Sequence, residues 1–114
     1  MKKIFFAFVI AASFTACTVP TTLYSWDNYV DASYNFYKKQ TPESKERLLT
    51  TYEKMIKKPT GTRKVEAPGV YAEYGYLLLQ NDKTEEGLEM LQKERELYPE
   101  SAIFINALID KFSK

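Results

Sequence analysis

The sequence predicts an all-α domain of about five antiparallel helices in residues 24–114. Apolar residues recur along this stretch at intervals of three and four residues, which places them on one face of a helix. Pro, Gly and N-cap residues divide the stretch into lengths typical of single helices. Because the connections are short, we expect consecutive helices to form antiparallel hairpins.

The composition favours a binding protein over an enzyme. The chain of 114 residues is long enough for one domain, and its 16 Lys and Arg nearly balance its 15 Asp and Glu, so it lacks the basic excess of nucleic-acid-binding proteins. It contains no His and a single Cys, which excludes an intrachain disulfide and a zinc site built from several thiolates. It shows no nucleophile motif, phosphate-binding loop or metal-ligand spacing. We therefore expect no catalytic residue, no metal and no cofactor.

Residues 1–16 have the three parts of a secretory signal: Lys2 and Lys3, an apolar run over Ile4–Ala12, and small residues. The apolar run is too short to cross a bilayer as a helix. The segment Phe14–Cys17 resembles a bacterial lipobox, in which small residues precede a Cys that becomes the lipid-modified first residue. This resemblance implies that Cys17 anchors the protein to a membrane through lipid. The alternative is an ordinary cleaved signal followed by a free cysteine.

The residue after the lipobox indicates which membrane holds the anchor. Thr18 stands where an enterobacterial inner-membrane retention signal has Asp. The lipobox resemblance therefore implies an outer-membrane lipoprotein whose domain faces the periplasm. Residues 17–23 are interpreted as the lipidated Cys and a short polar tether.

The first predicted hairpin begins with an aromatic helix over Tyr24–Lys38, with Ser25 as its N-cap. Its aromatic cluster, Trp26–Tyr37, is expected either to pack as a core face or to bind a cell-wall glycan or peptide. Thr41 and Pro42 begin the second helix. Its predicted core stripe consists of Leu48, Leu49, Tyr52, Met55 and Ile56. The basic loop 59–67 that follows is either solvated or in contact with an acidic partner or anionic lipid.

The segment Pro68–Ser101 predicts a second hairpin, in which two glycines allow close helix packing. Its register resembles the tetratricopeptide (TPR) pattern at seven positions, namely Tyr71, Tyr74, Gly75, Leu78, Gly87, Leu91 and Pro99. Glu94 departs from this pattern because it replaces a small residue, which predicts looser packing against the next helix. An unrelated helical hairpin is the alternative.

The last predicted helix runs from about Ser101 to Phe112 and covers the second hairpin as a cap. Ile103 lies outside its apolar arc. Because the chain has fewer than the roughly three repeats that a stable TPR-type stack needs, we expect close packing of the first hairpin or stabilisation by homo- or hetero-oligomer formation.

Nearly all of Cys17–Ser101 also resembles a family of small Gram-negative lipoproteins that contain a domain of unknown function. The resemblance rests on the lipobox, on YSWDNYVDASYNFYK, and on APGVYAEYGYLLLQ with a closing YPES. Members are associated with lipoproteins similar to the curli secretion channel subunit and with a second small lipoprotein family. The resemblance implies an envelope assembly role without enzymatic activity, and it assigns no site residues.

These observations predict a lipid-anchored module for protein–protein interaction. The first helix of each TPR hairpin lines a concave binding surface. Positions of that helix outside the packing register, together with Ile103 of the last helix, are the candidate partner-binding residues: Glu73, Tyr76, Gln80 and Ile103. Tyr76 is the leading candidate because aromatic residues dominate binding energy at interfaces.

Overall fold

The computed structural model describes residues 22–114, and this part of the chain folds into five α-helices without a β-strand. The helices are α1 (Tyr29–Lys39), α2 (Pro42–Lys57), α3 (Val70–Gln80), α4 (Thr84–Leu97) and α5 (Ala102–Phe112). Two-residue and three-residue connections join α1 to α2 and α3 to α4, so each pair forms a hairpin. The predicted all-α class is confirmed. The predicted leader, Cys17 and the tether as far as residue 21 lie outside the described residues.

The first helix begins later than the sequence predicted. It starts at Tyr29, and its N-cap residue is Asn28 rather than Ser25. Ser25 is instead buried and accepts a hydrogen bond from the hydroxyl of Thr60. The prediction that Ser25 caps a helix is therefore wrong, because the chain ahead of α1 packs against the loop after α2.

Residues 22–25 lie along the loop 59–67. The backbone amides of Thr62 and Arg63 donate to the carbonyls of Thr22 and Leu23, each over 3.0 Å. A side chain at Gly61 would collide with the backbone of Leu23 and Tyr24, so this approach requires glycine. Backbone hydrogen bonds thus attach the predicted basic loop to residues 22–25, so the loop is not freely solvated.

Helix α2 begins as the sequence predicts. Thr41 is its N-cap and accepts from the backbone amide of Ser44, whose hydroxyl in turn accepts from the amide of Thr41. Pro42 occupies the first turn, where its missing amide costs no helical hydrogen bond. The predicted stripe packs into the main core. Its most buried members are Leu48, Tyr52 and Met55.

Helices α3 and α4 approach closely at two glycines. A Cβ on Gly75 would lie 2.8 Å from the carbonyl oxygen of Gly87, and a Cβ on Gly87 would lie 2.6 Å from Cγ of Leu79. Around this contact, Leu79 and Leu91 pack with Ile105 of α5 in a second core cluster. The close approach predicted for these two glycines is confirmed.

Glu94 faces α3 rather than the helix that follows it. The side chain is only 2% exposed, and its carboxylate accepts from the backbone amides of Gly69 (2.7 Å) and Ala72 (3.3 Å). These amides belong to the first turn of α3, which has no side-chain cap of its own. A carboxylate is favoured there because helix N-termini carry partial positive charge. Glu94 of α4 thus supplies the cap of α3, while the looser packing expected against the next helix stays a prediction.

The two hairpins repeat one spacing of buried positions. In the second hairpin these positions are Gly75, Gly87, Leu91 and Glu94. The first hairpin places buried residues at the same intervals, namely Ala32, Ser44, Leu48 and Thr51. Small residues thus occupy the point of closest approach in both hairpins. The two hairpins therefore share one spacing of buried positions although the residues at those positions differ.

We predict that Gly75→Ala destabilises the domain. Alanine favours a helix by about 0.5–1 kcal/mol, but overpacking at a rigid backbone contact costs about 1–3 kcal/mol, so the net effect is unfavourable. Urea unfolding should give a lower midpoint than wild type, while Gln92→Ala on the exposed side of α4 should leave it nearly unchanged. A midpoint for Gly75→Ala equal to or above that of wild type would contradict the close approach.

We predict that Glu94→Ala destabilises the domain by about 1–3 kcal/mol, because two amides at the start of α3 lose their acceptor. Exchange of the amide hydrogens of Gly69 and Ala72 should accelerate more than exchange in α2. Glu89→Ala, which removes a solvent-exposed carboxylate from the same helix, serves as the matched control and should cost much less. Equal destabilisation by the two variants would refute the capping role.

Candidate functional site

An apolar groove lies between α3 and α5. It has a volume of about 340 Å³. Its walls are formed by Ala72, Glu73, Tyr76, Phe104, Leu108 and Lys111. The groove therefore offers an apolar floor with one carboxylate and one ammonium group at its borders. We call it the α3–α5 groove.

The packing of α5 explains why this groove is open. Helix α5 buries Ile105 against α4 and the adjoining side of α3, and Leu108 packs beside it. The preceding Phe104 points away from this contact and is 61% exposed. On α3, Ala72 leaves space because its side chain is small, while Tyr76 contacts the ring of Phe112 edge-on at 5.9 Å. The floor of the groove is thus the edge of the second core cluster, at Ala72 and Leu108, and Tyr76 and Phe104 stand exposed beside it.

The structure brings two of the four predicted partner-binding residues together. Glu73 and Tyr76 both line the α3–α5 groove. Gln80 lies elsewhere, in a groove that α3 forms with the α1–α2 connection. Ile103 is strongly exposed on α5 but does not line the α3–α5 groove. The groove residues of α5, namely Phe104, Leu108 and Lys111, were not among the predicted binding residues.

Glu73 also has a structural role. Its Oε2 accepts hydrogen bonds from the hydroxyls of Tyr29 (2.8 Å) and Tyr52 (2.6 Å), so one carboxylate connects α1, α2 and α3. Burial, reinforced by Glu73, raises the pKa of Tyr29 to about 12 and raises the pKa of Tyr52 further above its ordinary value. Both phenols are therefore neutral donors under ordinary conditions, and Glu73 is fixed in place at the border of the groove.

The aromatic cluster Trp26–Tyr37 divides into two faces. Tyr29 and Phe36 pack against the main core, with Ala32 fully buried between them. Four other side chains face outward and are 42 to 73% exposed, namely Trp26, Val30, Tyr34 and Tyr37. We call these four residues the outer stripe. The expectation that the whole cluster packs as one core face is wrong. The helix starts at Tyr29, and its smallest residue, Ala32, lies on the side of the helix that faces α2.

A third, more polar groove of about 320 Å³ lies where residues 22–28 meet the end of α2. It is lined by Ser25, Asp27, Lys54, Lys57, Lys58 and Thr60.

Among residues 22–114, no cluster of His, Cys, Asp and Glu side chains could hold a metal ion. Within the same residues, no helix has the length and apolar character needed to cross a membrane.

We predict that the tyrosine–glutamate contacts make stability fall in alkaline solution. Unfolded tyrosines lose their proton near pH 10, whereas buried Tyr52 keeps it to higher pH, so the unfolded state binds fewer protons above pH 10 and stability declines there. The slope for this one group is about 1.4 kcal/mol per pH unit. Tyr52→Phe lacks the titrating group and should be less stable than wild type at pH 7, with the difference shrinking at pH 11. A difference that is constant with pH would contradict this account.

Comparison with known proteins places the chain in a family. Searches of curated proteins and of solved structures give no significant match. A family model described as "Domain of unknown function (DUF4810)" matches residues 23–108, which include all of α1–α4 and most of α5. The two hairpins, Glu73, Glu94 and all residues that line the α3–α5 groove except Lys111 lie within this match. The chain therefore belongs to the DUF4810 family.

Proposed function

We propose that this protein is an outer-membrane lipoprotein, anchored through Cys17 on the periplasmic side, that docks a protein partner in the α3–α5 groove. The observation that carries the proposal is the groove itself, with Tyr76 and Phe104 exposed above an apolar floor. Exposed aromatics that surround a shallow apolar depression are typical of residues that dominate binding energy.

The dimensions of the groove favour one amphipathic segment as the bound element. A volume of about 340 Å³ accommodates a few side chains rather than a folded domain. An amphipathic helix or extended strand would place apolar anchors on Tyr76, Phe104 and Leu108. Lys111 and Glu73 lie at the borders and would select the charges that flank those anchors. The role is recognition, and it requires no catalytic group.

The wider arrangement supports this role in an envelope complex. Two hairpins with matching buried positions and a covering helix fit a short TPR-like stack, an architecture that displays binding surfaces. A lipid on Cys17 would confine the domain to the membrane surface and raise its effective concentration near an anchored partner. Lipoproteins similar to the curli secretion channel subunit are the partner class that the family resemblance implies.

The test is crosslinked affinity purification from intact envelopes. Tyr76→Ala and Phe104→Ala should each reduce recovery of the partner about tenfold or more, because an aromatic anchor contributes roughly 1.5–2 kcal/mol or more to binding. Cys17→Ser should release the protein from the membrane and lower recovery through loss of effective concentration.

Leu97→Ala is the matched control, since Leu97 is a partly exposed apolar residue on α4 outside the groove. It should leave recovery unchanged. Circular dichroism should show wild-type helix content for both groove variants. Full recovery with Tyr76→Ala and Phe104→Ala in folded protein would refute the groove as the docking site.

A further inference from the structure

The outer stripe occupies positions that normally face a neighbouring hairpin. In the register shared by the two hairpins, Val30, Tyr34 and Tyr37 correspond to Glu73, Leu77 and Gln80 of α3. On α3 this side faces the first hairpin: Glu73 accepts from Tyr29, and Leu77 packs in the main core. Within residues 22–114, no hairpin precedes α1, so its equivalent side is uncovered.

The place where the described chain begins limits what can cover the uncovered side of α1. The described chain begins at Thr22, which the amide of Thr62 holds against the loop 59–67. Four residues lie between Cys17 and Thr22, so the five steps along the chain reach at most about 17 Å. The exposed Leu23 comes directly after Thr22, and Trp26 of the outer stripe comes shortly after it. A lipid on Cys17 would hold this end of the domain close to the bilayer surface.

The chemistry of the surface fits the head-group region of a bilayer. Trp and Tyr concentrate at membrane–water interfaces, where the ring contacts acyl chains and the polar atom contacts water. A cation accompanies one of these rings, since Nζ of Lys38 lies 5.5 Å from the ring centre of Tyr34. Such cations contribute by attraction to anionic head groups.

We propose that the outer stripe and Leu23 lie in the head-group region of the leaflet that holds the lipid on Cys17. The inference rests on the proposed lipid anchor and adds to it an orientation of the domain. The outer stripe of α1 then faces the membrane, and none of its residues lines the α3–α5 groove.

Trp26 provides the measurement, because it is the only Trp of the chain. The mature lipidated protein is reconstituted in vesicles of phosphatidylethanolamine and phosphatidylglycerol, with and without lipids brominated near the head group. Brominated lipid should remove most of the Trp26 emission. In vesicles without bromine, the emission maximum of the lipidated protein should lie at a shorter wavelength than the maximum of the unlipidated Cys17→Ser protein in detergent-free buffer.

The double variant Val30→Asn with Tyr34→Asn changes two strongly exposed residues of the stripe. It should stay bound to vesicles through the lipid but lose most of the quenching. Phe104→Asn, equally exposed on α5, is the matched control and should be quenched like wild type.

Each other outcome overturns the inference in a distinguishable way. If the protein floats with vesicles but Trp26 is not quenched, the anchor stands and the membrane contact of the stripe is refuted. If Cys17 carries no acyl mass and the protein does not float, both the anchor and the orientation are refuted. Crosslinked dimers with unquenched Trp26 would assign the stripe to a second copy. Quenching by soluble peptidoglycan fragments but not by brominated lipid would assign it to glycan.

Discussion

The close approach of paired helices at small residues is the constraint on which the rest of the structure depends. Gly75 and Gly87 bring the backbones of α3 and α4 within contact distance, and Ala32 and Ser44 occupy the same positions in the first hairpin. A helix that uses its small residues against one neighbour must place its bulky residues against others. On α3, one side therefore packs on the first hairpin and another faces α5, which creates the α3–α5 groove.

Two glutamates then hold neighbouring helices together. Glu94 of α4 caps the first turn of α3 within the second hairpin. Glu73 of α3 accepts from tyrosines of α1 and α2 and so connects the two hairpins. The tyrosine hydroxyls stay protonated because burial raises the pKa of both tyrosines. Hydrogen bonds to a carboxylate are stronger than those between neutral groups, and the buried carboxylate of Glu94 would be costly without them.

The sequence predicted the helices, the start of α2 and the glycine contact, because periodicity, capping and small-residue spacing are local signals. It placed the start of α1 too early, since the attachment of residues 22–25 to the loop 59–67 joins segments distant in sequence. The role of Glu94 was missed for the same reason. Its hydrogen-bond partners lie on α3, and the TPR pattern shows only that Glu94 replaces a small residue. For the groove, Tyr76 was predicted from register, whereas Phe104 was not, because helical periodicity cannot tell which side of a broad apolar arc its neighbours cover.

The two uncovered surfaces of the stack differ in ways that suit different environments. The outer stripe is an exposed surface rich in Tyr and Trp, it includes one Tyr beside Lys38, and it follows residues 22–25 in sequence. The α3–α5 groove is concave and mostly apolar. A concave apolar site recognises a shaped segment of protein, whereas an exposed aromatic surface suits a fluid interface that adapts to it. The described chain thus exposes two aromatic surfaces of different character, one on α1 and one between α3 and α5.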